Sequence, residues 1–314
     1  MAAVAVAVTA AALVVRAQPV TSFPRLVFAV GAPYAVVAAI AGVFLAVLSR
    51  RFLLSVVVVS LLLATLVIQV RWYYLGKPRD ISSHIDIRVL SSNLFKGRAD
   101  AKSFVELAKS SADVITVAEL TPDAIDRFSR AGIGEVFAYA QLFATPGVGG
   151  VGIWSRYPIA PVSAPRHPFV LMPAVRLEIP GLEFRPLVAA THVMSPVAGD
   201  ENTVDEWRQG MAAAKAQLAN FAADAGPGAV IIGGDYNSTP DLRQFRDLLT
   251  EGYQDAVDQT GSGFAPTYPG DTWFPPLITI DHVLTRHAAA STVRTVKING
   301  SDHRALLVTV QVPI

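Results

Sequence analysis

The chain divides into two regions that differ in the spacing of their apolar residues. Before residue 77 apolar residues run almost without interruption, whereas later they form short runs separated by polar turns. Uncharged runs over 26–48 and 52–70 are long enough to cross a bilayer as helices, and a shorter apolar run covers 2–15. The pattern therefore predicts a transmembrane region over 1–76, with two or three helices, and one folded domain over 80–314.

The second region contains six strand-like runs that share one feature. At or near one end of each stands a polar residue suited to metal binding or proton transfer, and the runs cover 87–95, 112–120, 184–196, 230–240, 277–286 and 301–312. Helical patterns are found at roughly 100–110, 122–131, 204–225 and 240–250. Polar groups at strand ends are held by a rigid scaffold and can point into one pocket, so we expect these residues to lie together.

Two of these runs carry the strongest chemical signal. The sequence GGDYN at 233–237 presents Asp235 and Asn237 after an apolar run, and SDH at 301–303 presents Asp302 and His303 before the last run. Either could be an ordinary turn, because Asp, Asn, Gly and Ser dominate turns. The other strand-like runs supply candidate partners, which are Asn93, Glu119, His192 and Asp281. The combination in this order is a stronger indication of a catalytic site than either motif alone.

In this order the motifs resemble the endonuclease/exonuclease/phosphatase superfamily, which includes DNase I, apurinic endonucleases, inositol-polyphosphate 5-phosphatases and neutral sphingomyelinases. The resemblance covers about 85–312 and rests on SSNLF, VAEL, GVGIWSRYPI, ATHVMSP, GGDYNSTPD, TIDHVL and GSDHRAL. One departure is Ala118, where the family usually has Gln before the Glu. The resemblance implies an α/β fold, the four-layer α/β/β/α sandwich of DNase I, preceded here by transmembrane helices.

The resemblance also implies a metal-dependent hydrolase that acts on phosphate esters. A bound Mg²⁺, or Mn²⁺ in its place, would neutralise the phosphate and polarise it. The implied metal ligands are Asn93, Glu119 and Asp302. The implied catalytic residues are His192, Asp235, Asn237, Asp281 and His303. In this scheme a neutral His303 serves as base for the attacking water and Asp281 holds its other ring nitrogen.

The remaining roles follow the same scheme. Asp235 and Asn237 would position the water and the phosphoryl group, and His192 would stabilise charge or assist the leaving group. His282 should point to the opposite face of its strand from Asp281 and pack there. Trp273 has two interpretations, as a residue at the substrate mouth or as an aromatic packed under its loop. The other histidines lie outside the motifs and are expected in surface loops; they are His84, His167 and His287.

Charge separates the substrate classes. Residues 1–79 contain no acidic residue, whereas 80–314 contain 19 basic and all 25 acidic residues, a formal net charge of −6. A nuclease that binds a nucleic acid through its phosphates needs a basic surface. The sequence of this region contains no Lys/Arg cluster. This disfavours nucleic acid as a partner. A local basic rim formed by Arg156, Arg166 and Arg176 stays an alternative. We expect a small or lipid-linked phosphate ester; the alternatives are a nuclease or a catalytically inactive binding domain.

The side of the membrane is not decided by charge alone. With three spans, Arg50 and Arg51 lie on one side and the other basic residues before residue 80 lie on the other, which by the positive-inside rule places the domain in the cytoplasm. The chain also resembles membrane-anchored superfamily members from Gram-positive actinobacteria, whose catalytic domains face outward. We therefore expect a multi-pass cell-membrane protein with an extracytoplasmic domain. The alternative for the apolar region is a soluble helical hairpin, and the lack of cysteine suits either compartment.

Overall fold

The computed structural model describes residues 1–77, 81–165, 167–197 and 203–314. The helices are α1 Ala2–Ala17, α2 Phe23–Val30, α3 Ala35–Leu48, α4 Phe52–Gln69, α5 Ala101–Ser111, α6 Pro122–Arg130, α7 Thr203–Ala225, α8 Arg243–Arg246 and α9 Ala256–Thr260. The strands are β1 His84–Asn93, β2 Val114–Ala118, β3 Tyr139–Phe143, β4 Val151–Ser155, β5 Ile159–Val162, β6 Val170–Leu171, β7 Ala174–Leu177, β8 Leu187–Val193, β9 Val230–Asp235, β10 Gln254–Asp255, β11 Asp281–Arg286, β12 Ala289–Lys297 and β13 Arg304–Pro313.

Two mixed sheets carry the second region. The first has the order β12-β13-β1-β2-β4-β3, and the second has the order β10-β11-β9-β8-β7-β5 with β6 paired to β8. Each sheet has one parallel pair, β1 with β2 and β8 with β9. Pairing in register places Asn93 beside Ala118 in the first sheet and His192 beside Asp235 in the second. The predicted polar residues thus stand at matched strand ends.

Three apolar cores separate the layers. Between the sheets, Val89 and Val308 of the first pack near Val188 and Ile231 of the second. The outer face of the first sheet is covered by α5 and α6, and that of the second by α7 and α8, with large buried side chains that include Phe104, Phe128, Trp154, Trp207, Phe221 and Phe245. This arrangement of two sheets with helices outside is consistent with the predicted DNase I-like fold.

Local sequence explains where the domain helices begin. The Asp100 side chain accepts the Ser103 N–H at 2.9 Å and caps α5, and Thr121 caps α6 with Pro122 in its first turn. The helix predicted over 240–250 is reduced to the four residues of α8. The helix begins only at Arg243 because Leu242 before it has an extended backbone, with a ψ of 129°.

The first region departs from the predicted spans. The run over 26–48 is not one helix, because α2 and α3 meet at a 51° bend around a turn at Ala32–Tyr34. Pro33 explains the break, since its ring cannot continue the hydrogen bonding of α2. Among the described residues, one continuous helix, Phe52–Tyr74, is long and apolar enough to cross a membrane, and the bent pair would be a second candidate. The run at 2–15 forms the shorter apolar helix α1.

The first region is fixed to the second by polar contacts. The Arg16 guanidinium and the Tyr73 hydroxyl both donate to the buried carboxylate of Asp241, each at 2.6 Å. Lys77 donates to Asp258 at 2.6 Å. Three apolar residues of this region join the core outside the second sheet, and they are Val20, Leu26 and Ala29. The N-terminal helices are therefore packed onto the sandwich.

Candidate active site

The eight residues singled out in the sequence lie around one cavity at the ends of the two sheets. The cavity has a volume of about 780 Å³. Six of the eight line it, namely Glu119, His192, Asp235, Asn237, Asp302 and His303. Asn93 and Asp281 are fully buried directly behind them, where each contacts a lining residue. The strand-end placement seen in the sequence thus corresponds to spatial proximity.

Asn93 connects the two sheets at the floor of the cavity. Its amide nitrogen donates to Glu119 Oε1 at 3.1 Å in the first sheet and to Asp235 Oδ2 at 3.0 Å in the second. Its own amide oxygen accepts the backbone N–H of Phe95 at 2.8 Å, which fixes the orientation of the amide. The second oxygen of Glu119 accepts the backbone N–H of Lys96 at 2.6 Å. These bonds hold both carboxylates in fixed positions.

Backbone strain accompanies two of the site residues. Glu119 has a φ of 56° and Asn237 a φ of 46°, in the left-handed region that residues with a side chain rarely occupy. Such a conformation costs on the order of 1–3 kcal/mol and persists where the surroundings enforce it. The turn at Asn237 lets its backbone N–H donate to Asp235 Oδ1 at 2.7 Å while its amide donates to the Val193 carbonyl at 2.9 Å.

Two of the histidines that line the cavity, His192 and His303, are held through their Nδ1 atoms. His303 Nδ1 lies 2.8 Å from Asp281 Oδ2, and His192 Nδ1 lies 2.8 Å from the Val148 carbonyl oxygen. Because a carbonyl only accepts, Nδ1 of His192 is the donor in its bond. The Nε2 atoms of both rings face the same carboxylate oxygen, Asp235 Oδ2, at 3.8 Å from His192 and 3.9 Å from His303.

The charge state of His303 differs from the neutral base expected from the sequence. Burial disfavours its protonated form, but the bonded Asp281 and the nearby Asp235 and Asp302 outweigh burial and raise the pKa of His303 to about 10. Without a bound metal, His303 is therefore a protonated imidazole at neutral pH. The physical reason is the number of surrounding carboxylates, which only the folded chain brings together.

A divalent cation fits the oxygen atoms at this end of the cavity. Asp302 Oδ1 is buried without a hydrogen-bond partner. Burial, together with the charge of Glu119, raises the pKa of Asp302 to about 6, although His303 opposes the shift. A cation would give Asp302 Oδ1 a partner and would reduce the repulsion between the Glu119 and Asp302 carboxylates. The carboxylates of Glu119 and Asp302 are the hard oxygen ligands that Mg²⁺ takes. Asn93, the third predicted ligand, instead turns its amide nitrogen toward the carboxylates, and its amide oxygen accepts the Phe95 N–H.

A second group of atoms is also close enough to hold a metal. One ligand atom each of Asp235, Asp281 and His303 lies within 4.8 Å of the others. The Asp281–His303 bond already uses one atom of each of these two residues, and burial and the charge of Asp281 raise the pKa of Asp235. We therefore regard this group as the proton-transfer part of the site and the Glu119–Asp302 side as the metal part.

Several residues at the cavity were not predicted as site residues. The ring of Tyr268 lies 5.0 Å from that of His303, and His167, expected in a surface loop, lines the cavity. A Cβ on Gly270 would meet backbone atoms of His303 at 2.7 Å, so this position accepts no side chain without displacement of the loop. Aromatic residues and glycines in a Pro-rich loop carry no signal that separates these roles from packing.

The packing interpretations can also be compared with the structure. His282 is fully buried on the far side of β11, where its ring lies 4.0 Å from that of Phe245, as predicted. Trp273 is 96% exposed and lines neither the cavity nor a core. Arg156 follows β4 and its backbone N–H donates to the Asp113 carbonyl. Arg176 lies in β7 opposite Leu187. Both arginines are away from the site. Arg166 of the suggested basic rim lies outside the described residues.

A family model described as "Endonuclease/Exonuclease/phosphatase family" matches residues 90–303. No curated protein matches the chain significantly. Among solved structures, an endonuclease/exonuclease/phosphatase from Bacteroides vulgatus is 13% identical with a TM-score of 0.58, over 73% of this chain and 99% of that one. TDP2 of D. rerio with a single-strand DNA product is 15% identical with a TM-score of 0.55, over 72% and 98%.

A third solved structure, the 3′ phosphatase NExo from Neisseria bound to a product DNA hairpin, is 16% identical with a TM-score of 0.54. The match covers 71% of this chain and 98% of that one. At these identities the likeness concerns the fold alone. It agrees with the family match and with the two-sheet α/β fold described above.

Proposed function

The chain belongs to the endonuclease/exonuclease/phosphatase family, and from this premise we propose that it is a membrane-anchored, Mg²⁺-dependent phosphoesterase. Its substrate is a small or lipid-linked phosphate ester at the membrane surface. The observation that carries the proposal is the buried, unpartnered Asp302 Oδ1 beside Glu119, next to the Asp281–His303 pair. One side of the cavity suits a cation and the other suits proton transfer.

The residues at the cavity take complementary parts. Glu119 and Asp302 would hold the metal, and Asn93 orients Glu119 through its amide nitrogen. The metal would supply charge neutralisation of the phosphate. Asp281 fixes Nδ1 of His303, so that Nε2 points at the reacting groups and either accepts a proton from water or, when protonated, stabilises the phosphoryl oxygens. Asp235 and Asn237 position the water, and His192 Nε2 faces the same oxygen of Asp235 from the other side. With Mn²⁺ in place of Mg²⁺ the same oxygen ligands serve.

The exposure of apolar side chains on the helix Phe52–Tyr74 supports a membrane anchor. Only 11% of the apolar window in the helix Phe52–Tyr74 is buried, whereas a helix in the core of a soluble protein would be mostly buried. Phe52, Leu53 and Val67 are each more than 60% exposed, a surface that suits lipid. Trp72 and Tyr74 at its end suit the interface.

We place the catalytic domain outside the cell, with α3 of the bent pair also in the membrane. A reporter enzyme that folds only outside, fused after Lys77 in a chain truncated there, should be active. A matched fusion after Arg51, on the other side of α4, should be inactive. The opposite pattern would place the domain in the cytoplasm, as the simple charge count predicts.

A nuclease is the second candidate, because the TDP2 and NExo structures contain DNA products. In this chain the exposed Lys96 and Arg98 follow Asn93 and could contact a phosphate backbone. Against this, residues 80–314 carry a net charge of −6. Binding that releases counterions from a polyanion weakens steeply with salt. A nuclease that makes about six phosphate contacts should therefore lose affinity for DNA on the order of 10³-fold between 50 and 200 mM salt.

The deciding experiment is a hydrolysis screen of the full-length protein in detergent with Mg²⁺. Phospholipids, long-chain alkyl phosphates, sugar phosphates and DNA are compared at two salt concentrations, with His303→Ala as the inactive control. Salt-tolerant hydrolysis of lipid or small phosphates supports the proposal. Salt-sensitive cleavage of DNA alone would favour the nuclease, and no hydrolysis by a folded protein that binds these compounds would favour the inactive binding domain.

A further inference from the structure

The cavity has two chemically different walls. The catalytic wall consists of the six lining residues at the strand ends given above. The wall opposite is apolar and comes largely from the N-terminal region, with Phe23, Leu26, Val27, Val30 and Tyr34. Phe169, Leu171 and Met194 continue the apolar surface between the two walls. A small charged phosphate ester would use the first wall and leave the second without a partner.

The apolar wall is held in place by specific bonds. The Tyr34 hydroxyl donates to the carbonyl of Leu277, which lies on the loop that also carries the cavity residue Tyr268. The backbone of Val20, just before α2, exchanges two hydrogen bonds with the Gln244 side chain, at 3.2 and 2.8 Å. Leu26 and Ala29 are buried in the core outside the second sheet. The helix therefore has a defined position beside the catalytic residues.

Exposed apolar residues occur both on α2 and on the loop that bonds to Tyr34. Val27 is 53% exposed although it lines the cavity, so the cavity opens along the side of α2. On the loop that bonds to Tyr34, Trp273 projects with 96% of its surface exposed, and a Trp in such a position suits a membrane interface. An apolar chain that enters along α2 would therefore contact apolar side chains before it reaches the catalytic wall.

We infer that α2 is a specificity-determining wall of the active site, and that the substrate carries a long apolar chain which lies along Phe23, Val27 and Val30 while its phosphate reaches the catalytic wall. This rests on the proposed function and deepens it. The chemistry shared by suitable substrates is a phosphate ester of a chain of a dozen or more carbons. The chain can be straight, as in an acyl lipid, or branched, as in an isoprenoid.

The test compares chain lengths with the full-length protein in one detergent. The substrates are phosphate esters of three alcohols: a short alcohol, a long straight-chain alcohol and a long isoprenoid alcohol. Each is supplied as a phosphomonoester and as a 4-nitrophenyl phosphodiester, so that both monoesterase and diesterase activity are measured. A higher kcat/KM for either long chain than for the short one supports the inference. Equal kcat/KM for all chains would overturn it and leave the phosphoesterase intact, whereas hydrolysis of none of them would overturn the proposed function itself.

A matched pair of variants on α2 makes the test independent of how substrates partition into detergent. Val27→Asn should lower kcat/KM for a long-chain ester by about tenfold, the scale of one lost apolar contact of this size, and leave the short ester unchanged. Phe28→Asn is the control, because Phe28 is 44% exposed on the same helix and does not line the cavity. Equal losses in both variants, or equal losses for both chain lengths, would contradict the inference.

Discussion

The catalytic wall and the apolar wall of the cavity are built in opposite ways. The catalytic wall comes from strand ends of both sheets, and its side chains are fixed by hydrogen bonds such as those from Asn93 to Glu119 and Asp235. The apolar wall comes largely from α2 and the turn after it, which are held by the packing of Leu26 and Ala29 and by the Tyr34 bond. The catalytic wall suits hydrolysis of the phosphate, and the apolar wall suits selection of the group attached to it. Substitutions in the two walls should therefore have separable effects on turnover and on chain-length preference.

We expect the largest effect on turnover from loss of the His303 side chain, which belongs to the catalytic wall alone. His303→Ala should lower kcat by roughly 10²–10⁴-fold, the usual scale for loss of a proton-transfer group. The ratio of long-chain to short-chain kcat/KM should stay that of the wild type, because α2 is untouched. His287→Ala is the control, since His287 lies in the β11–β12 turn and contacts Pro227. A changed chain-length ratio would mean that the two walls are coupled.

Glu119→Gln separates metal binding from proton transfer within the catalytic wall. The amide keeps the shape but lacks the negative charge, so we expect Mg²⁺ affinity to fall on the order of 10²-fold. Raised Mg²⁺ should partly restore activity in this variant and should not restore His303→Ala. A titration of initial rate against Mg²⁺ for both variants measures the difference. Rescue of both variants, or of neither, would contradict the division between a metal part and a proton-transfer part.

The catalytic wall could be predicted from the sequence, whereas the apolar wall could not. Asn93, Glu119 and Asp235 interrupt or end strongly apolar strand patterns, and such interruptions stand out. On α2, Val27 lines the cavity and Phe28 does not, yet both are apolar residues in an apolar run. Only Pro33 indicated that the predicted span would break. The charge of His303 was also out of reach, because besides its neighbour Asp302 it depends on Asp281 and Asp235, which are distant in the chain.

The link between the two walls can be broken at Asp241, which bonds both Arg16 and Tyr73. Asp241→Ala leaves the buried Arg16 without its partner, and loss of one member of a buried pair costs about 3 kcal/mol. We expect a lower unfolding temperature and a larger loss of long-chain than of short-chain turnover.

Asp247→Ala is the matched control for this variant. Asp247 pairs with Arg243 at 2.7 Å on the surface, with 39% and 48% of the side chains exposed. Exposed pairs of this kind contribute about 0–1 kcal/mol. If both variants unfold at the same temperature and retain the chain-length preference, Asp241 does not hold the N-terminal helices against the sandwich.

The last expected effect is a pH dependence of stability that arises in the catalytic wall. In the metal-free protein the pKa of His303 is raised to about 10, so its stabilising contribution is complete below the ordinary value of about 6.5 and is lost as pH rises through 10. The pKa of Asp302 is raised to about 6, so a destabilising contribution develops as pH rises from about 4 through 6. Both signs predict that metal-free stability falls with rising pH.

Mg²⁺ competes with the proton on Asp302, because a carboxylate must be deprotonated to bind metal. The increase in unfolding temperature on addition of Mg²⁺ should therefore be small at pH 5 and larger at pH 7.5, as measured by thermal unfolding of the full-length protein in detergent. Asp302→Asn should remove this difference, since the amide does not titrate, whereas Val27→Asn should retain it because α2 lies on the other wall. An Mg²⁺ effect that is equal at both pH values in the wild type would remove Asp302 from the metal ligands.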